Sequence, residues 1–224
     1  MVVYFFITWA YCYADCFTAS IPYVLKIPRE MPVKDSASGV VTYMKTKEAC
    51  KPTLGREVLL DDKDNKLPHY HNPVTELKLQ CNTWAVTYVM LGVFSMNWVG
   101  QIIFNGMGDR VGRKPILIGG MLIGIGVFIG VSLPLTYWLF ATYALILGFG
   151  LAYFIQAFVL ASEFTHQGNR DWFLICSHLT LDLFAVIHTI VFSLTYYAQI
   201  YFLIIAVLGV FVIISVIIGP DSPR

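Results

Sequence analysis

The chain has 224 residues, of which 57% are hydrophobic and only 13% charged, with a mean hydropathy of +0.67. Soluble domains carry about 25% charged residues, so this composition excludes an ordinary water-soluble domain and reads as a membrane protein. A net charge of +1 and a pI near 7.6 leave no basic stripe of the kind that recruits nucleic acid.

The N-terminal run Met1 to Leu25 opens apolar, "MVVYFFITWAYCYA", and turns polar through Asp15, Thr18 and Ser20. Two readings stand: a retained first transmembrane helix, or a cleaved signal peptide. The second lacks the positive n-region such peptides carry. Residues 26 to 80 then hold ten of the fifteen basic residues and eight acidic ones, with Pro28, Pro32, Pro52, Pro68 and Pro73 breaking any long helix. This segment is expected to be a water-exposed, partly folded loop.

Five apolar runs follow: Trp84 to Met107, Pro115 to Leu133, Tyr137 to Ala161, Trp172 to Leu194 and Ile200 to Ile218. Each approaches the ~20 residues a helix needs to cross the hydrocarbon core. With the first segment they make six predicted spans, in an all-α bundle with residues 81 to 219 carrying helices two to six and 220 to 224 beginning the next segment. The remaining basic residues, Arg110, Arg113, Lys114, Arg170 and Arg224, all fall on one side of such a bundle, whereas the turns "SLPLTY" and "TYYAQ" carry none. The positive-inside rule makes that side cytoplasmic and puts the large loop outside.

Four charges crowd the turn "GMGDRVGRKPILIGG". A topological anchor would account for the charge count alone. The residue order says more: "GDRVGRKP" resembles the signature between helices two and three of the major facilitator superfamily, written G-x-L-A-D-R-x-G-R-K. Asp109, Arg110, Gly112, Arg113 and Lys114 match it, Gly108 replaces the small Ala, and Asn105 stands where the signature has its first Gly. That departure predicts a looser helix contact. Gly112 permits a sharp turn, Asp109 suits a neighbouring helix N-terminus, and Arg113 suits a carboxylate across the cytoplasmic face.

Two further stretches are similar to the organic cation and anion transporters within that superfamily. "ASEFTHQGNR" looks like the end of their helix four, with Glu163 followed by Arg170, and "GPDSPR" is similar to their Pro-Glu-Ser-Pro-Arg motif, with Asp221 for Glu. A large loop between helices one and two fits the same branch. The resemblance covers about Cys81 to Arg224, and the earlier part by position only. It implies the N-terminal half of a carrier that moves small organic ions by alternating access, with Asp109, Arg110, Gly112, Arg113, Lys114, Glu163 and Arg170 as a cytoplasmic gate and Glu163 the carboxylate for Arg113. Ala144 stands where proton antiporters carry an Arg before Gly148, which favours facilitated diffusion or exchange.

The chain departs from these relatives in having no Asn-x-Ser/Thr sequon and few loop cysteines. An oxidising exterior permits a bridge between Cys50 and Cys81; two free thiols are the other reading. Cys12, Cys16 and Cys176 lie in apolar runs and read as buried packing residues.

Ionisable groups in hydrocarbon cost ~2.5 to 3.5 kcal/mol on insertion scales and usually face a bundle interior. Asp182, about 15 Å along its predicted helix at ~1.5 Å per residue, is the clearest such group, and His178 shares its face four residues earlier. They are substrate-binding candidates, or else a buried pair that fixes packing. Asn97, Gln101, Gln156 and His188 either line a cavity or bond between helices. Tyr143, Tyr153, Phe154 and Phe158 suit an amphiphilic ion's apolar body, with lipid-facing packing as the alternative. The pairs Gly120/Gly124 and Gly126/Gly130 read as close-approach faces, not as a dinucleotide fingerprint.

No nucleophile, base and oxyanion set and no metal-ligand spacing is visible, so no catalytic residue, metal or cofactor is expected and an enzyme is disfavoured. The expected location is a multi-pass position in the plasma membrane, with lipid and a small organic ion as partners and nucleic acid excluded. Carriers of this kind use two six-helix halves, so the expectation is a half or truncated form working with a second half or as a homodimer. The alternative is a non-transporting interaction protein that modulates a full-length transporter.

Overall fold

The computed structural model describes residues 25, 27, 30–35, 38, 40–51, 56–58, 72–133, 136–165, 167–195 and 197–219. The predicted first helix with Cys12 and Cys16, Asp221 and Arg224 of the terminal motif, and loop residues 52–55 and 59–71 lie outside the described residues.

The charged segment, expected to be a partly folded loop, adds strands that correct the all-α expectation for the chain. Strands β1 (Glu30–Asp35), β2 (Val41–Lys45) and β3 (Arg56–Val58) form an antiparallel sheet in the order β2-β1-β3. The β-branched and aromatic run "VTYMK" suits a strand. Pro32 sits on β1 opposite Tyr43, while the described pairing with β3 begins only at Val33. A residue without an N–H is tolerated where one side of the strand needs no ladder bond. Val33 turns inward against Ala49 of α1 (Thr46–Ala49), with Met44 and Cys50 beside them.

Cys50 is disulfide-bonded to Cys81, which ties the sheet to the start of the membrane bundle. Between them α2 (Pro73–Glu76) is a reciprocal capping box. Asn72 Oδ1 accepts from Thr75 N–H at 2.9 Å, and Asn72 N–H donates to Thr75 Oγ1 at 3.1 Å. Val74 and Leu79 then bury against Ala85 and Val86. The bridge closes a separation of 31 residues, which chain-entropy arguments value at about 4 kcal/mol. Reduction, or Cys50→Ser with Cys81→Ser, is therefore expected to expose the 30–58 region to proteolysis at temperatures where the bundle stays intact. An unchanged digestion pattern would contradict the tether.

The bundle comprises α3 (Thr83–Val111), α4 (Arg113–Val131), α5 (Tyr137–Leu151), α6 (Phe154–Glu163), α7 (Arg170–Thr195) and α8 (Ala198–Ile218). Among the described residues, five stretches are long and apolar enough to span a membrane, with α5 and α6 together forming one, Tyr137–Glu163. The join at Ala152 and Tyr153 tightens into i→i+3 bonds of 3.3 and 3.2 Å onto Phe149 and Gly150, a short 3₁₀ step. No proline marks it in the sequence.

Helix α4 is central, packing on α3, α5, α6 and α8, while α3 lies along α5. Glycines set these distances. A methyl at Gly100 would sit 2.6 Å from the Phe149 carbonyl oxygen, and one at Gly148 would collide with the carbonyl of Val93. Of the four glycines expected to form close-approach faces on α4, Gly120 and Gly130 do so, against Tyr153 and Tyr143. At Gly124 and Gly126 a methyl would meet no described atom within 4 Å. Phe128 stacks on Phe202 at 5.9 Å in a core that also buries Leu117, Met121, Tyr153 and Tyr201.

Helix α7 has α8 as its main helical neighbour and leaves Leu179, Leu183, Val186 and Ile190 exposed. Ile102, Phe211 and Ile218 are likewise exposed on α3 and α8. Apolar surface on this scale is incompatible with an aqueous monomer and matches helices whose outer faces meet lipid, the backbone polar groups being satisfied within each helix.

Candidate functional site

The two ends of the bundle differ in chemistry. At one end Tyr137 Oη donates to the Ala85 carbonyl at 3.4 Å, and Gln199 Nε2 donates to Glu76 Oε2 at 3.1 Å. At the other end the charges gather.

There α3 stops at Gly112, whose φ of 106° and ψ of 152° serve as C-cap of α3 and N-cap of α4. Only glycine adopts this region without strain. The reversal allows the next residue, Arg113, to reach α6. Its Nε donates to Glu163 Oε1 at 2.8 Å, and its Nη2 lies 3.6 Å from Asp109 Oδ1 one turn back. The Arg113 and Glu163 side chains are 24% and 29% exposed, so the pair is sheltered but wetted; Asp109 is 74% exposed. Among the described residues, therefore, Asp109 reaches solvent and Arg113 and does not serve a helix N-terminus.

Lys114 takes a direction that the sequence did not disclose. Its Nζ donates to the Gly219 carbonyl at 2.6 Å and the Ile217 carbonyl at 3.1 Å, a cation on the unsatisfied C-terminus of α8. Backbone acceptors have no residue code, so no motif could have indicated them. Arg110 and Arg170 are exposed at the same end, and the described ion pairs do not include them. One end of the bundle is thus laced from α3 through the turn to α6 and α8.

One layer inward, Gln156 is 2% exposed and its Nε2 donates to Asn105 Oδ1 at 2.6 Å. Of its two readings, the structure gives Gln156 the helix-to-helix bond. The contact predicted to be loose at Asn105 is closed by this bond. Asn97 accepts from Gln101 Nε2 at 2.7 Å along α3. His188 is buried, with Nδ1 3.4 Å from the Tyr201 hydroxyl.

Asp182 and His178 lie on the exposed side of α7, and no described ion pair joins them. The alternative of a buried pair fixing the packing is corrected, both side chains being exposed; the described buried polar side chains of α7 are Ser177 and His188. His178 has the Phe158 ring of α6 at 6.2 Å. Cys176, expected to be buried, is exposed on α7. Tyr153 is fully buried and Tyr143, Phe154 and Phe158 are partly so, packed against the core. Ala144 is buried in the α5 interface.

Among the described residues, five stretches long and apolar enough to cross a membrane, together with the family match that follows, make this a multi-pass membrane protein of the major facilitator transporter kind. The sequence model of the family described as sugar (and other) transporters matches residues 58–224, and the chain belongs to that family. It is a family of transporters and not of enzymes, which makes a small molecule and membrane lipid its partners. No curated protein matches the chain.

Proposed function

We propose that the chain is the N-terminal-half bundle of a carrier for small organic ions in the plasma membrane, completed by a second half or a second copy. The charged end faces the cytoplasm and the 26–80 segment lies outside. Transport proceeds by alternating access as facilitated diffusion or exchange.

The observation that carries this reading is the clasp of Arg113 on Glu163 at 2.8 Å beside the Gly112 turn. Exposed ion pairs are worth ~0.2 to 1 kcal/mol and fully buried ones resist breaking by ~3 to 5. A pair about one quarter exposed falls between, firm enough to favour one state and weak enough to release as a carrier rocks. Asp109, Arg110, Lys114 and Arg170 complete the gate at that end.

The substrate class is supported by Asp182. Its carboxylate is an exposed ionisable group within a span, open to a completing half and a solute. His178 and Asn97 are the accompanying polar candidates. Asp182→Asn is expected to lower uptake of organic cations at least fivefold while the folded yield stays the same. Equal loss for anions, cations and a neutral sugar, or no loss for any, would remove Asp182 from the substrate path. Specific binding of a full-length transporter without flux would favour the modulator reading.

A further inference from the structure

We infer that Gln156 is a positioning residue of the gate, holding α6 against α3 so that Glu163 stands within reach of Arg113. The Gln156 side chain is buried where these helices meet, and it donates to Asn105 Oδ1 at 2.6 Å. It reaches Asn105 through the space that Gly108 leaves. A methyl at position 108 would sit 2.5 Å from Gln156 Oε1 and 3.0 Å from Cδ.

Asn105 and Gly108 are three residues apart and so share a face of α3. One supplies the acceptor and the other supplies the room. The two departures from the G-x-L-A-D-R pattern, a polar side chain in place of the glycine and a glycine in place of the alanine, thereby become one device. Neither makes sense alone: Asn105 without the notch would have no amide to accept from, and the notch without Asn105 would leave that amide unpartnered.

Glu163 lies seven residues beyond Gln156 on α6, about two turns and ~10.5 Å further along nearly the same face. Two rungs therefore join α6 to the turn region, an amide rung inside and an ionic rung at the rim. The inner bond is sheltered at its buried Gln156 end, whereas water screens the outer one more fully. The inner bond fixes the register and the rim pair depends on it. The inference rests on Arg113 and Glu163 forming the gate, not on the class of solute.

A double-mutant cycle on the full chain in detergent tests it, with apparent melting temperature as the readout. In the native background Arg113→Ala and Glu163→Ala are expected to be coupled, the double variant falling no further than the worse single. In a Gln156→Leu background that coupling is expected to drop at least threefold, and in Gly108→Ala as well, because the amide is displaced. Gly108→Ala with Gln156→Ala should regain stability without regaining coupling. The reversed pair, Asn105→Gln with Gln156→Asn, should regain both.

Native coupling in both Gln156→Leu and Asn105→Ala would overturn the inference. Asn105 is exposed, so its truncation gives the same answer if Gln156→Leu does not fold. The cycle involves no transport, so its failure leaves the substrate reading standing, and failure of the uptake assays leaves the cycle interpretable.

Discussion

Arg113→Ala is expected to lower uptake of the transported ion by about tenfold without abolishing folding. The substitution leaves the Glu163 carboxylate, 29% exposed, without its 2.8 Å partner and frees Asp109 from its 3.6 Å contact. For a pair of this intermediate burial a loss of about 1.5 kcal/mol is reasonable, between the surface and interior limits, and about 1.4 kcal/mol is a factor of ten. Arg113→Lys should fall between, since it keeps the charge and loses the planar fork. The charge swap Arg113→Glu with Glu163→Arg is expected to exceed either single variant in uptake. A swap no better than the singles would show that this pairing plays no part in transport.

Gly148→Ala should be the most damaging single methyl in the bundle. The obstructing atom is the backbone carbonyl of Val93, which no rotamer change can move, so α3 and α5 must separate along their contact. Overpacking of this kind costs ~1 to 3 kcal/mol or more. Tight backbone approach is also a main source of helix association where lipid gives no hydrophobic drive. Gly126→Ala provides the control: that position is exposed and no described atom lies within 4 Å, so the better helix propensity of Ala should leave it neutral or slightly stabilised. Comparable melting temperatures for the two variants would mean that α3 and α5 do not meet as described.

The membrane helices were legible because hydrophobic thickness imposes a length and charges mark the ends. The run predicted from Tyr137 to Ala161 appears as the span Tyr137–Glu163, and that from Ile200 to Ile218 as Ala198–Ile218. The turn was legible for a related reason, since Gly112 followed by Arg113 couples a backbone requirement to a charge. Other features were hidden. The step at Ala152 has no breaker residue to mark it, and the nearby Gly148 and Gly150 are close-packed against Val93 and Ile123, which residue type alone does not show. The sheet is built from short strands, one of them carrying Pro32, which period-based reading passes over. The face that Asp182 occupies depends on which neighbours α7 has, and that is a tertiary fact. Lys114 and Gln156 found partners more than fifty residues away in sequence or on backbone atoms, where residue type alone gives no address.

The central claim is that this chain takes part in moving small organic ions across a membrane. The most direct measurement is uptake of a panel of organic cations, organic anions and a neutral sugar into proteoliposomes holding the purified chain, with Arg113→Ala in parallel. Saturable uptake of an organic ion that the variant reduces about tenfold is the predicted result for a bundle that pairs with its own copy, and co-reconstitution with a complementary half should restore it if self-pairing does not suffice. Uptake of the sugar alone, or no flux in either preparation from correctly oriented, folded protein, would contradict the account.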